Sequence, residues 1–170
     1  MSADAAAPVR DPAWSLSRSA IGLWTTQGVL GTLWLALGTL AVFLVPDDAG
    51  GPVPVLRWAA PVVTVLYAVV AIGIRPRVRY RVHRWEVTGE AVYTLTGWLT
   101  RTWTLVPISR IQTVDVTRGV LQQLFGLATV AVLTASSQGT VRVLHLEADV
   151  AQRVADDLAR RAELVRDEAT

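Results

Sequence analysis

The hydrophobic rhythm of the chain changes twice. From Ile21 to Val45 apolar residues follow one another without a charge, and after a short polar break a second run extends from Val55 to Ile74. Beyond Val78 apolar and polar residues alternate, and from Asp149 the apolar positions recur with a helical period. As a helix the first run is about 37 Å long, longer than the ~30 Å hydrocarbon core of a bilayer. A secretory signal has an apolar stretch of only about 7–15 residues close behind a basic start. The run here is longer, begins later and is followed by a second span. A membrane hairpin is therefore predicted, with spans at about 21–45 and about 55–74. Arg57 in the first turn of the second span can snorkel to head groups, and Pro61 predicts a kink. The acidic loop Pro46–Pro54 suits a tight reversal, and Trp14, Trp24 and Trp58 fall near span ends, where amphipathic rings favour the interface. Gly28, Thr32 and Ala36 place small residues on one helix face, for packing within the hairpin or, in the alternative, in a homo-oligomer.

The alternation after Val78 predicts an antiparallel sheet. Strands are expected from Tyr80 to Val87, from Ala91 to Thr96, from Trp98 to Val106 and from Ile108 to Val116. Two more are expected at Leu127–Ala135 and Thr140–Leu146, around a hairpin turn at Ser136–Gly139. In the fourth strand Ile111, Thr113 and Asp115 would share one face, with Val114 and Val116 on the other. The last segment reads as an amphipathic helix capped by Asp149, with Val150, Val154, Leu158, Ala162 and Val165 on its apolar stripe. Its opposite face offers the pairs Arg153/Asp157, Asp156/Arg160 and Asp157/Arg161. The fold class is a two-helix membrane hairpin followed by a small α+β domain, a curled or barrel-like antiparallel sheet capped by a C-terminal helix. The divisions are an N-terminal tail at 1–19, the hairpin at 20–75, the domain at 76–166 and a tail at 167–170.

Charge sharpens the picture. All 16 basic residues are arginine, and the sequence pI is about 9.7. Arg75, Arg77, Arg79, Arg81 and Arg84 follow the second span with no acid among them, whereas from Trp85 onward eight arginines face ten acids. The basicity is a juxtamembrane patch suited to a bilayer with anionic head groups, and a nucleic-acid partner is not expected. Arg10 and Arg18 before the first span, against Arg57 alone on the loop side, predict a multi-pass protein with cytoplasmic N- and C-termini.

Catalytic chemistry is not legible. No cysteine is present, and His83 and His145 lack companions at metal-ligand spacing, so no cofactor or metal is expected. Ser109, Ser136 or Ser137 with His145 and Asp149 lacks the strand–turn–helix context of a nucleophile elbow. The chain reads as a non-enzyme.

Three stretches together resemble a known family. They are Arg79-Tyr-Arg-Val-His-Arg-Trp-Glu-Val-Thr88, then Gly97-Trp-Leu-Thr-Arg101 with Val106-Pro-Ile-Ser-Arg-Ile-Gln-Thr-Val114, and Arg118-Gly-Val-Leu-Gln-Gln-Leu-Phe-Gly-Leu-Ala-Thr-Val130. They resemble the bacterial PH-like domain family of the YdbS type (bPH2, DUF304), which also places two membrane spans before one such domain. The resemblance implies a bacterial cell (inner) membrane protein and a companion membrane protein carrying several PH-like domains. It makes Gly97, Pro107, Arg110, Ile111, Gln112, Gly119, Phe125 and Gly126 a fold-specifying motif. The family often has arginine where this chain has Gln123. Two functions follow as expectations. One is a membrane-anchored interaction module contacting its partner through Arg118, Gln122 and Gln123. The alternative is an anionic-lipid head-group sensor or lipid-handling factor using Arg75, Arg77, Arg79, Arg81 and Arg84.

Overall fold

The computed structural model describes residues 10–46, 50–134 and 139–168. The chain divides into two compact units, Ile21–Val78 and a second unit made of Met1–Ala20 with Arg79–Thr170. The expected Ser136–Gly139 turn, with Ser136 and Ser137, and the acids of the 46–54 loop lie outside the described residues, Gly139 excepted.

The first unit is helical. Helix α1 spans Ser19–Phe43, and α2 spans Val53–Ala68. Both are long and apolar enough to cross a membrane when α2 is taken with its continuation to Val82. Few of their side chains are buried in the protein, so an apolar surface is left on all sides, as a lipid-facing helix requires. Of the small-residue face, Gly28 meets the second helix of the hairpin. A Cβ on Gly28 would lie 2.5 Å from the Ala71 carbonyl oxygen, so only glycine permits this approach. The Thr39 and Thr64 hydroxyls lie 2.8 Å apart across the hairpin, each also within reach of the carbonyl four residues back, and their two hydrogens serve two of these three contacts at a time.

From Val69 to Ile74 the helix widens to π geometry before α3, Arg75–Val82, resumes the α form. Pro76 explains the change. It has no N–H to donate, and its ring would strike the carbonyl four residues back in a regular helix. The wider winding gives that ring room.

Helix α3 corrects one expectation. Residues 80–82 were expected in a strand, but they continue the helix, and only Arg84–Val87 forms strand β2. Extending a formed helix needs no new nucleus, so it prevails over a short alternating stretch.

The second unit is built on two antiparallel sheets. The first has the order β1–β2–β3–β4, with β1 at Trp14–Ser15, β3 at Ala91–Gly97 and β4 at Arg101–Pro107. The second has the order β5–β6–β7, with β5 at Ile111–Thr117, β6 at Leu127–Thr134 and β7 at Thr140–Glu147. The sheets are not closed into one barrel. Strand β1 falls in what reads from sequence as a tail. Trp14 pairs with Trp85, the Ala13 N–H donates to the Glu86 carboxylate at 2.9 Å, and Arg10 pairs with the same carboxylate.

Two bulges set which side chains face inward. In β5 the register skips between Ile111 and Thr113, so Gln112 is extra. That one residue reverses the side-chain phase. Ile111, Val114 and Val116 therefore all pack on the core, not on opposite faces as strict alternation predicts. In β7 the register skips opposite Thr129, and His145 takes a left-handed φ of 53°. Val141, Val143 and Leu146 consequently face the core together.

Helix α5, Ala148–Glu168, closes this core. Its buried stripe is Ala151, Ala155, Leu158 and Ala162, while Val150 and Val154 are half-buried and Val165 is exposed. The helix is thus rotated from the predicted stripe, so that small alanines let it lie close to β5 and β6. Leu158 is fully buried, and its truncation to alanine would cost about 2–5 kcal/mol. Asp149 lies inside the first turn, where its carboxylate pairs with Arg153 at 3.0 Å, and that pairing holds its pKa below the usual range. Asp157 pairs with Arg161 at 2.8 Å as predicted, and Gln152, not Arg160, bonds Asp156.

Candidate interaction surface

The family-like segment between β5 and β6 forms one tight corner. Gly119 opens the short helix α4, Val120–Leu124, and Gly126, at φ 66°, ends it. Gln122 governs this corner. Its Oε1 accepts the Gly119 N–H at 3.0 Å, the reciprocal half of a capping box. Its Nε2 has two hydrogens, and both are used. One bonds Thr129 Oγ1 at 2.8 Å and the other His145 Nδ1 at 3.0 Å. Thr129 and His145 are the two sides of the β6–β7 bulge, so one glutamine clamps both the helix start and the bulge.

Nδ1 of His145 accepts in this arrangement, which requires a neutral ring with its proton on Nε2. Burial, then the charges of Arg79 and His83, lowers the His145 pKa to about 4 and keeps it neutral. His83 is also held low, chiefly by burial, while its Nδ1–H donates to the Arg79 carbonyl at 2.9 Å.

The other two polar residues of the corner are exposed, and each makes one bond to the backbone. Arg118 Nε donates to the Leu127 carbonyl at 3.3 Å, and the Gln123 amide donates to the Arg118 carbonyl at 3.2 Å. Beside the exposed Gln123, α4 presents two apolar side chains outward: Val120 is 78% exposed and Leu124 is 75% exposed. They lie one helical turn apart on the same face. The sequence reads Leu121, Leu124 and Phe125 as one turn folded onto the sheet and does not single out Val120; Leu121 and Phe125 are half-buried, but Leu124 is turned outward. The missed signal was a pair of apolar residues flanking two glutamines.

The other motif residues take distinct local roles. Gly97 has φ 128°, and a Cβ there would meet the Thr100 carbonyl oxygen at 1.8 Å. Pro107 ends β4 in extended geometry and leads into a 3-10 turn, Ile108–Arg110. Ile111 is in the core, Gln112 is the bulge residue, Phe125 is half-buried behind α4, and Arg110 and Ser109 are exposed.

The arginine row does not form one face. At ~100° per residue, Arg75 and Arg79 fall on one side of α3 and Arg77 and Arg81 on the other. Arg84 lies on β2. Among the described residues no group of three His, Cys, Asp or Glu side chains is placed to hold a metal ion.

Comparison with known proteins agrees with this architecture. The family model described as "Bacterial PH domain" matches residues 30–162. The chain is 28% identical over 160 residues to the "UPF0699 transmembrane protein YdbS" of Bacillus subtilis (strain 168), covering 92% of this chain and 97% of that protein. No solved structure shows a significant match. With two apolar helices ahead of two antiparallel sheets and a closing helix, the chain belongs to the bacterial PH domain family and is a membrane-associated, YdbS-type member of it.

Proposed function

We propose that this protein is a non-enzymatic interaction module, anchored multi-pass in the bacterial inner membrane with its N- and C-termini in the cytoplasm. The domain assembles there with a larger membrane protein bearing several domains of the same type. The orientation rests on the arginines beyond the second span, which resist transfer across the bilayer.

One observation carries the assembly reading. Val120 and Leu124 stand exposed side by side on a short helix that Gln122 pins to the sheet. Apolar anchors held in place beforehand lose little entropy on docking, and such anchors dominate interface energetics. Arg118, Gln122 and Gln123 then serve the partner by fixing α4. The test is affinity purification from membranes in mild detergent. The wild-type protein should bring down a multi-domain membrane protein, and a variant with Val120→Ser and Leu124→Ser should lose it. Undiminished recovery by that variant overturns the reading.

A second reading concerns lipid. Arg75, Arg77, Arg79, Arg81 and Arg84 carry five charges with no acid among them, each worth about 1 kcal/mol at an anionic surface. Attraction of that kind is screened by salt and indifferent to head-group identity. Equal, salt-sensitive binding to vesicles of different anionic lipids is its expected signature.

A further inference from the structure

Away from α4, the domain contains a cleft of about 730 Å³, within the ~300–1,000 Å³ range of small-molecule sites. It lies where β4, the edge strand of the first sheet, and β7, the edge strand of the second, both remain unpaired on one side. Strands β3 and β4 supply its threonines in two directly opposed pairs, Thr94 with Thr104 and Thr96 with Thr102. Strand β7 adds Thr140 and Arg142, and α3 adds Arg79.

The chemistry of this lining is one-sided. Two guanidiniums and five threonine hydroxyls line the cleft, and no carboxylate does so among the described residues. The field of Arg79 reaches both histidines of the domain and helps to keep them neutral. Arg142 has no hydrogen bond or ion pair among the described residues. Thr94 makes the stronger point. It is only 4% exposed, yet its hydroxyl has no hydrogen-bond partner among the described residues. On the cleft lining this hydroxyl keeps contact with solvent, so it is free to donate to a group that enters.

We propose that the cleft between β3–β4 and β7 binds a phosphate group, held by Arg79 and Arg142 with Thr94 donating from the floor. Planar guanidinium forks match phosphate oxygens two at a time, and a hydroxyl completes the shell. The phosphate comes either from an anionic lipid head group or from a small soluble phosphate compound. The surroundings suit both sources. Trp98 and Trp103 wall the cleft with amphipathic rings, and Leu99, 81% exposed, caps the bend that Gly97 makes possible beside it. Arg79 lies five positions beyond Ile74, the last apolar residue of the span. This site is separate from the α4 surface, shares no residue with it, and does not depend on the assembly reading.

The test uses the full chain in a neutral detergent at fixed ionic strength. Dihexanoyl phosphatidylglycerol, dihexanoyl phosphatidylcholine and inorganic phosphate are titrated separately by calorimetry. Saturable binding of phosphatidylglycerol or of inorganic phosphate, weakened about ten-fold by Arg142→Ala and measurably by the isosteric Thr94→Val, supports the site. Preference for phosphatidylglycerol over both other probes identifies the lipid source, and comparable binding of inorganic phosphate identifies the soluble one. Absence of saturable binding of both overturns the proposal. So does binding that Arg142→Ala and Thr94→Val leave unchanged while Arg77→Ala with Arg81→Ala abolishes it.

Discussion

Two regions of the domain are built from similar side chains and treat them in opposite ways. At the α4 corner Arg118, Gln122 and Gln123 all bond to the protein itself, and the apolar Val120 and Leu124 are left outside. In the cleft the apolar residues support the walls, and Arg142 and Thr94 are left without protein partners among the described residues. A polar group already satisfied by the fold has little left to offer a ligand, and one left unsatisfied in a cavity is costly unless a ligand or water completes it. The comparison teaches that polar composition alone does not mark a binding surface. What separates the two regions is where each hydrogen bond goes.

The largest effect is expected where the backbone itself admits no side chain. Gly97→Ala would drive a Cβ into the Thr100 carbonyl at a φ that other residues rarely adopt. It should cost about 3 kcal/mol or more in chemical denaturation, and would reshape the bend at the cleft mouth. Gln122→Leu should follow at about 2 kcal/mol, because it strips partners from Thr129, His145 and the start of α4 at once. If its denaturation midpoint were unchanged, the corner would not be the clamp described here.

Acid should act on the same clamp. His145 has a folded pKa of about 4 against an ordinary 6.5, so the unfolded chain takes up its proton first as pH falls. The stabilisation is fully present above about pH 6.5 and is lost as pH drops toward 4, by at most about 1.4 kcal/mol per unit. His83, also lowered, adds in the same direction. A His145→Asn variant, which tolerates the left-handed φ, should show a shallower decline over that window. An unaltered pH profile would assign the acid sensitivity elsewhere. The smallest effect on stability should come from Val120→Ser with Leu124→Ser, within about 0.5 kcal/mol, since both side chains are already in water.

Much of the fold is legible in the sequence because burial imposes a period. The uncharged runs mark the spans, and the bounds of β3, β6 and β7 fall within a residue of those expected. Strands β4 and β5 start at Arg101 and Ile111, not at Trp98 and Ile108, because a bend and a 3-10 turn take up the intervening residues. What was illegible lies where the period breaks for a local reason. The bulges at Gln112 and at His145 each reverse the phase, so the inner faces of β5 and β7 cannot be read by strict alternation. Arg75–Val82 alternates like a strand but inherits a helix from the span before it. Strand β1 is two residues long, too short to show any period. The cleft was illegible for a different reason. Its arginines and threonines come from α3, β3, β4 and β7, and the topology of the sheets, not spacing in the chain, brings them together.

The contrast between the two regions is tested most directly by one melting experiment on the full chain in neutral detergent, with and without dihexanoyl phosphatidylglycerol or inorganic phosphate. A ligand that binds only the folded state raises the melting temperature by mass action. The account predicts that Gln122→Leu melts lower than wild type yet keeps the ligand-dependent rise. Arg142→Ala should melt with wild type and lose the rise. A rise retained in Arg142→Ala, or a wild-type melting temperature in Gln122→Leu, would contradict it.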